Sequence, residues 1–293
     1  MLAITTPTGH IGSALTRLLL DAGRDDLVLL VRDASKLSAD VRARTETREG
    51  VLEDADYVRA ATEGADALFW LSPVNWGHPD PMDWYETLGR SVVGAVEGGV
   101  GHVVHLSSEG AQDRDGHGPV SGLGRIEDAL DATTAAVRHL RPTFFFENFE
   151  AQIPAIQNAG AVFFPVPETT ATGMIATADI AQAAADLLLD LDWSGTETVP
   201  LLGAEDLTYA DAAAVLSKAL GRDVRAQQIP PQALHGQLSE MGAPKAWADA
   251  MVQLYTSIGS DAYSGDERTA ASTTPTRLED WARESLRPAL ENA

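Results

Sequence analysis

Seven residues near the start of the chain, Thr6-Pro7-Thr8-Gly9-His10-Ile11-Gly12, have types and an order suited to holding phosphate. They follow the short apolar run Leu2-Ala3-Ile4. They lead into a pattern in which Ile11, Ala14, Leu15, Leu18 and Leu19 recur at helical spacing. The opening turn of a helix presents free N–H groups and the positive end of its dipole to an anion. Gly9 would let a pyrophosphate approach the backbone, and Gly12 would let helix and strand pack closely. Two glycines could also do no more than shape a turn. The succession of strand, loop and amphipathic helix is what favours the phosphate reading. A second group, Arg32 and Lys36, follows the apolar run from Leu27 to Val31, where the ribose of a bound dinucleotide falls. A guanidinium suits a 2′-phosphate, so NADP(H) is expected in preference to NAD(H). The alternative for Arg32 is an ion pair with Asp33 or another carboxylate.

Further candidates lie beyond this loop. Ser107 or Ser108 could hydrogen-bond a substrate carbonyl, or only cap a strand end. Asn148 could position a substrate or the nicotinamide, or serve a turn. Phe144, Phe145, Phe146 and Phe149, with Trp76 or Trp84, could form a wall for a flat aromatic molecule, or be core. His78 and Tyr85 follow the segment Leu71-Ser72-Pro73 and could reach a cleft there, or be a surface histidine and a helix-face tyrosine. His105 sits inside an apolar run and reads as a core histidine. No cluster has metal-ligand spacing, and nothing resembles a hydrolase nucleophile elbow.

The elements that must carry these residues alternate strand and helix from residue 2 onward. Apolar runs at Leu27 to Val31, Ala67 to Leu71, 103–106 and 137–140 are of the kind buried on both faces of a parallel sheet. This predicts a doubly wound parallel α/β sheet of Rossmann type. Residues 1–150 would form the nucleotide-binding domain. Residues 151–293 would form a smaller, helix-rich lobe for substrate, with 177–202 returning to the sheet. Thr177 is a candidate helix cap, Thr208 and Asp211 a capping box, and Thr276 and Glu279 another. The polar stretch 264–276 reads as a loop. Composition narrows the partners. The 293 residues carry 43 acidic and 21 basic side chains, a formal charge of −22, which opposes nucleic acid and membrane surfaces as partners. The absence of cysteine removes disulfides and thiolate chemistry. No basic stretch precedes Leu2 and no run approaches the about 18 apolar residues of a membrane span, so a cytoplasmic location is expected.

Read together, these segments resemble a family, the NmrA-like, atypical short-chain dehydrogenase/reductases. The resemblance is carried by 4–12, by Val31-Arg-Asp-Ala-Ser-Lys-Leu37, by 64–73, by His102-Val-Val-His-Leu-Ser-Ser108, by Leu140-Arg-Pro142 with Glu147-Asn-Phe149, and by 207–222. It implies that Leu71-Ser72-Pro73 and Ser107-Ser108 flank the nicotinamide, and that 144–148 lines the substrate cleft. The chain departs from the family pattern at Thr6, where glycine is usual, and at Val51, where an aspartate is frequent. The departure at the catalytic pair is larger. Many short-chain dehydrogenases use a tyrosine with a lysine four residues on. Here no tyrosine occurs between Tyr85 and Tyr209, and no lysine between Lys36 and Lys218. The expected activity is an NADPH-dependent reduction of a carbonyl or quinone on a small aromatic molecule without a tyrosine acid, by a monomer or homodimer. The alternative is a non-catalytic sensor of NADP(H).

Overall fold

The computed structural model describes residues 1–258 and 266–293, so Ser264 and Gly265 of the expected loop lie outside the described residues. The first half runs β1 (Leu2–Thr5), α1 (His10–Asp21), β2 (Leu27–Val31), α2 (Ala39–Arg44), β3 (Glu46–Glu49), α3 (Ala55–Ala61), β4 (Ala67–Leu71), α4 (Pro81–Glu97), β5 (His102–Leu106), α5 (Pro119–Asp131) and β6 (Ala136–Pro142). The second half continues with β7 (Phe144–Phe145), a 3-10 turn (Phe146–Gln152), α6 (Ile153–Ala159), β8 (Ala161–Phe164), β9 (Ala171–Ile175), α7 (Thr177–Leu189), β10 (Thr196–Leu201), β11 (Asp206–Thr208), α8 (Tyr209–Leu220), β12 (Arg225–Gln228), α9 (Pro231–Glu240) and α10 (Lys245–Ile258). Helical turns over 278–291 end the chain.

Seven strands form one parallel sheet in the order β10-β6-β5-β4-β1-β2-β3. The chain builds outward from β1 to β3, then returns to the other side of β1 with β4. That reversal opens a crevice at the C-terminal ends of β1 and β4, the place where such sheets take ligands. Side-chain alternation sends successive residues to opposite faces. Ile4 and Phe69 pack with α1 and α7, through Leu15, Leu19 and Ile180. Ala3, Leu68 and Trp70 pack with α3, α4 and α5, through Val58, Leu88 and Ile126. Each fully buried aliphatic side chain contributes about 1.5–3 kcal/mol, so both faces are firmly held. A third core, with Phe146, Phe149, Phe164, Tyr209 and Leu216, belongs to the second half of the chain.

Two expected caps fall differently. Thr177 does not cap its own helix. It is the first residue of α7, and its N–H and hydroxyl both donate to Glu147, the hydroxyl at 2.6 Å. Thr276 likewise donates to Asp179 at 2.6 Å, not to its own helix. The Thr208–Asp211 capping box is formed. One distant helix fixes a loop of the first half. Trp247 of α10 is fully buried among the α4 and α5 side chains, and its indole N–H donates to the His78 carbonyl at 2.8 Å. Gly118, at φ +53°, makes room for this. A Cβ there would stand 2.0 Å from the Ala250 carbonyl oxygen. Among the described residues no helix is long and apolar enough to cross a membrane.

Candidate cofactor and reaction site

A cavity of about 340 Å³ lies over the C-terminal ends of the first four strands. Thr6, Pro7, Thr8 and Gly9 form its floor after β1. The loop between β1 and α1 is tightly specified. Gly9 donates its N–H to the Thr6 carbonyl at 3.1 Å, which closes a turn. A Cβ on Gly12 would sit 2.2 Å from that carbonyl oxygen, so only glycine lets α1 approach the loop. Gly9 is different. Its φ is −86°, and a Cβ there would meet nothing nearer than 3.6 Å. The protein itself does not demand glycine at 9, which leaves the space over it for a ligand. The first turn of α1 has no side-chain cap and no acidic residue, so its N–H groups are open to an anion. Thr6 holds φ +50°, a left-handed conformation that costs a side chain with a branched Cβ about 1–2 kcal/mol. Its hydroxyl is buried and makes no hydrogen bond among the described residues. A dinucleotide fits this set of groups: an uncapped helix start, an open glycine and an orphaned hydroxyl in one cavity wall. Gly12→Ala is expected to displace the loop and weaken NADPH binding by about one to two decades, the size of an overpacking penalty. Fluorescence titration measures it, and an unchanged affinity would show that loop position does not matter.

Beyond β2, Val31 and Arg32 line the cavity, and Asp33 turns away from it. The Asp33 carboxylate accepts from the Ser35 N–H at 2.9 Å and from the Ser35 hydroxyl at 2.6 Å. Those hydrogen bonds, with help from Lys36, hold its pKa below the ordinary value. Arg32 makes no ion pair or side-chain hydrogen bond among the described residues, so the alternative of a pairing with Asp33 is not what forms. Lys36 is exposed on the adjoining 3-10 turn and is not part of the cavity wall. The opposite wall is Val51, which the family resemblance places near the adenine, with Leu52, Glu53, Asn75 and Trp84, which are not expected from sequence as cofactor contacts, together with Pro73. Trp84 donates its indole N–H to the Pro73 carbonyl at 2.8 Å and so fixes that loop. Leu71 and Ser72 stand behind the wall. Ser72 accepts from the Trp70 indole at 3.0 Å.

Ser107 is not free to serve a substrate. It is 3% exposed, and its hydroxyl donates to Glu127 of α5 at 2.6 Å. Glu127 is also gripped by Arg141, with contacts of 2.9 and 2.6 Å, and by Arg114 at 3.1 Å. Burial would raise the Glu127 carboxyl. The Arg141 and Ser107 hydrogen bonds and the Arg141 charge outweigh that and bring it down to about 2. The helix residue that faces the strand-end serine is therefore a carboxylate locked in an ion pair, with no phenol beside it. Ser108 is half-buried and donates to the Glu109 carbonyl at 3.1 Å. Of the two serines it alone keeps an accessible side.

The expected substrate residues divide. Tyr85 is 2% exposed, packs under Gly122 of α5 and beside Trp247, and burial pushes its phenol pKa up. It belongs to the core. Phe146 is also core, against Trp281. Phe144 is half-buried and meets Phe149, Phe164 and Tyr209 edge-on. Trp76 is 43% exposed and leans on Trp247 with ring centroids 5.2 Å apart. Asn148 is exposed, on the 3-10 turn whose Glu150 comes within 3.8 Å of His10. His105 is only half satisfied. Its Nδ1 faces His139 at 3.0 Å, but its Nε2 has no partner among the described residues.

Sheet, crevice and loop together define a dinucleotide-binding protein. Residues 7–191 match the family described as NAD(P)H-binding, and the chain belongs to it, in keeping with its resemblance to the NmrA-like short-chain dehydrogenase/reductases. The chain is similar to the NAD(P)H azoreductase of Xenophilus azovorans, 30% identical over 268 residues and 90% of either protein. Family and relative make it an NAD(P)H-dependent oxidoreductase. Its fold is similar to that of a nucleoside-diphosphate-sugar epimerase from Staphylococcus aureus, with TM-score 0.83, 18% identity, and 97% and 99% of the two chains covered. It is also similar to the NADPH-dependent quinone oxidoreductase of Escherichia coli in complex with NADPH, with TM-score 0.78, 22% identity, and 96% and 98% covered.

Proposed function

We propose that the protein is an NADPH-dependent reductase of quinone-like aromatic acceptors. The observation that carries this is the missing acid. Ser107 is tied to Glu127, and no tyrosine–lysine pair stands in its place. The oxyanion left when a simple ketone is reduced is strongly basic and calls for a positioned proton donor. The anion left when a quinone accepts a hydride is the hydroquinone monoanion, a weaker, phenolate-type base that takes its proton from water. A chain without the acid therefore suits the second substrate better, and an azoreductase among its relatives supports the same reading.

When bound, the reduced nicotinamide supplies one hydride, which with one proton from solvent turns a quinone into a hydroquinone. The uncapped start of α1 and the backbone at Gly9 would hold the pyrophosphate, with the Thr6 hydroxyl as a further donor. Arg32 would pair with a 2′-phosphate, and Val51 would offer an apolar surface to the adenine. Trp84, bonded to Pro73, keeps the β4 loop in place beside the nicotinamide half. The residues act by orienting two reactants, an effect worth about 7–11 kcal/mol of barrier at its best. Mixing the protein with NADPH and a panel of quinones and aromatic ketones, and following loss of the reduced-nicotinamide absorbance, tests this. Quinones are expected to turn over faster than ketones. Tight NADP(H) binding with no turnover of any acceptor would overturn the reading in favour of a nucleotide sensor.

A further inference from the structure

A second cavity, of about 470 Å³, opens in the C-terminal lobe, and none of its described lining residues is charged. That is notable in a chain with 43 acidic side chains. Phe163, Phe164, Leu234 and Tyr255 supply apolar and aromatic surface, and Asn148 and Gln237 supply amides. The wall is built and not merely vacant. Gln152 accepts from the Phe163 N–H at 3.3 Å and donates to the Phe163 carbonyl at 3.2 Å, which pins the β8 end to the 3-10 turn. The side chains of Asn148 and Gln237 and the Tyr255 hydroxyl make no hydrogen bond among the described residues. Behind Phe164, with ring centroids 4.8 Å apart, lies Tyr209, 2% exposed, whose hydroxyl also has no partner among the described residues. Tyr209 thus stands behind the lining, and the groups on the wall itself that a ligand could pair with are the Asn148 and Gln237 amides and the Tyr255 hydroxyl. The volume lies in the range of small-molecule sites. The 3-10 turn that supplies Asn148, Ala151 and Gln152 to this pocket also brings Glu150 to 3.8 Å from His10, the first residue of α1.

We propose that this pocket binds the electron acceptor and selects an uncharged, planar aromatic molecule with hydrogen-bond acceptor atoms at its edge, rejecting sulfonated or carboxylated analogues. The proposal rests on the reductase reading for the word acceptor and on the lobe alone for the selectivity. Aromatic walls stack on a flat ring. The amides and the Tyr255 hydroxyl donate to oxygen or nitrogen acceptors on it. An anion entering would lose its hydration and find no cation in return.

The test uses the full chain without cofactor, with naphthoquinone and naphthoquinone sulfonate as probes, read by quenching of tryptophan fluorescence and by calorimetry. Naphthoquinone is expected to bind at least about tenfold more tightly than its sulfonate. Gln237 is exposed, so Gln237→Lys leaves the fold intact. It is expected to tighten sulfonate binding about tenfold, the size of one charge-assisted contact, with NADPH affinity unchanged. Gln237→Glu is expected to give the sulfonate no such gain. Equal binding of both probes, binding of neither, or no response to Gln237→Lys would overturn the pocket. The two readings fail separately. Selective binding without NADPH oxidation would leave the pocket standing and remove the reductase. NADPH oxidation by both acceptors at equal rates, indifferent to residue 237, would leave the reductase standing and remove the pocket.

Discussion

Arg32→Ala is expected to lower NADPH affinity by about one to two decades and to leave NADH affinity within a factor of about two. The magnitude is that of a hydrogen-bonded contact between charged groups, about 1.5–3 kcal/mol. Arg32 lines the cavity at the end of β2, and two carboxylates near it in chain and sheet are engaged elsewhere. Asp33 holds Ser35, and Glu49 accepts the Ala34 N–H at 2.8 Å. An arginine with no partner among the described residues, in so acidic a chain, is poised for an anion from outside. Isothermal titration with both cofactors reads the effect, and a parallel loss for both would mean that Arg32 does not recognise the 2′-phosphate. Arg32→Lys is expected to recover only part of the loss, since an ammonium lacks the planar fork that matches a phosphate.

The elements that carry this site differ in how plainly the sequence announces them. β2 and β4 are continuous apolar runs, and β1 and β5 are mostly apolar, because both of their faces are covered, and burial on two faces leaves a signal that needs no partner to interpret. β3 is Glu46-Thr47-Arg48-Glu49, a polar edge strand that pairs with β2 alone. Nothing in its composition marks it as a strand. Of the cavity residues that follow it, Val51 is marked only by the family resemblance, and Leu52 and Glu53 are invisible until the sheet is assembled. Tyr85 shows the opposite error. Its position after the β4 loop suggested a cleft, but α4 rotates it toward α5, where Gly122 leaves space for its ring. A single helix face decides between site and core, and sequence distance from a loop does not. Trp247 lies 169 residues from His78 in the chain and yet holds its carbonyl. Contacts of that separation are fixed by tertiary packing, which no local pattern encodes.

Glu127 is the residue whose loss should cost the fold most. Glu127→Gln is expected to destabilise the protein at neutral pH by about 3–5 kcal/mol, the usual consequence of breaking a buried ion pair and stranding its partner. Arg141 would be that stranded partner, held at 2.6 Å by a carboxylate oxygen that glutamine replaces with an amide nitrogen. In a chain of this length the melting temperature should fall by roughly 10 °C. The pH dependence carries a second signature. The Glu127 carboxyl is lowered from 4.5 to about 2 in the folded protein and is 1% exposed, so full solvent screening does not apply. A carboxyl depressed on folding contributes stability that is complete above its unfolded pKa and is lost as pH falls through the folded value. The shift corresponds to about 3 kcal/mol, fading between about pH 4.5 and pH 2. Denaturant unfolding as a function of pH should thus show the wild type losing stability faster than Glu127→Gln as the solution is acidified through that window. Parallel curves would mean that Glu127 does not carry the charge of the network. The same variant frees the Ser107 hydroxyl, because an amide oxygen accepts more weakly than a carboxylate. If quinone turnover, measured where the variant stays folded, is unaffected while stability falls, then the Ser107–Glu127–Arg141 cluster is a strut that fixes the ends of β5 and β6 and takes no part in proton delivery.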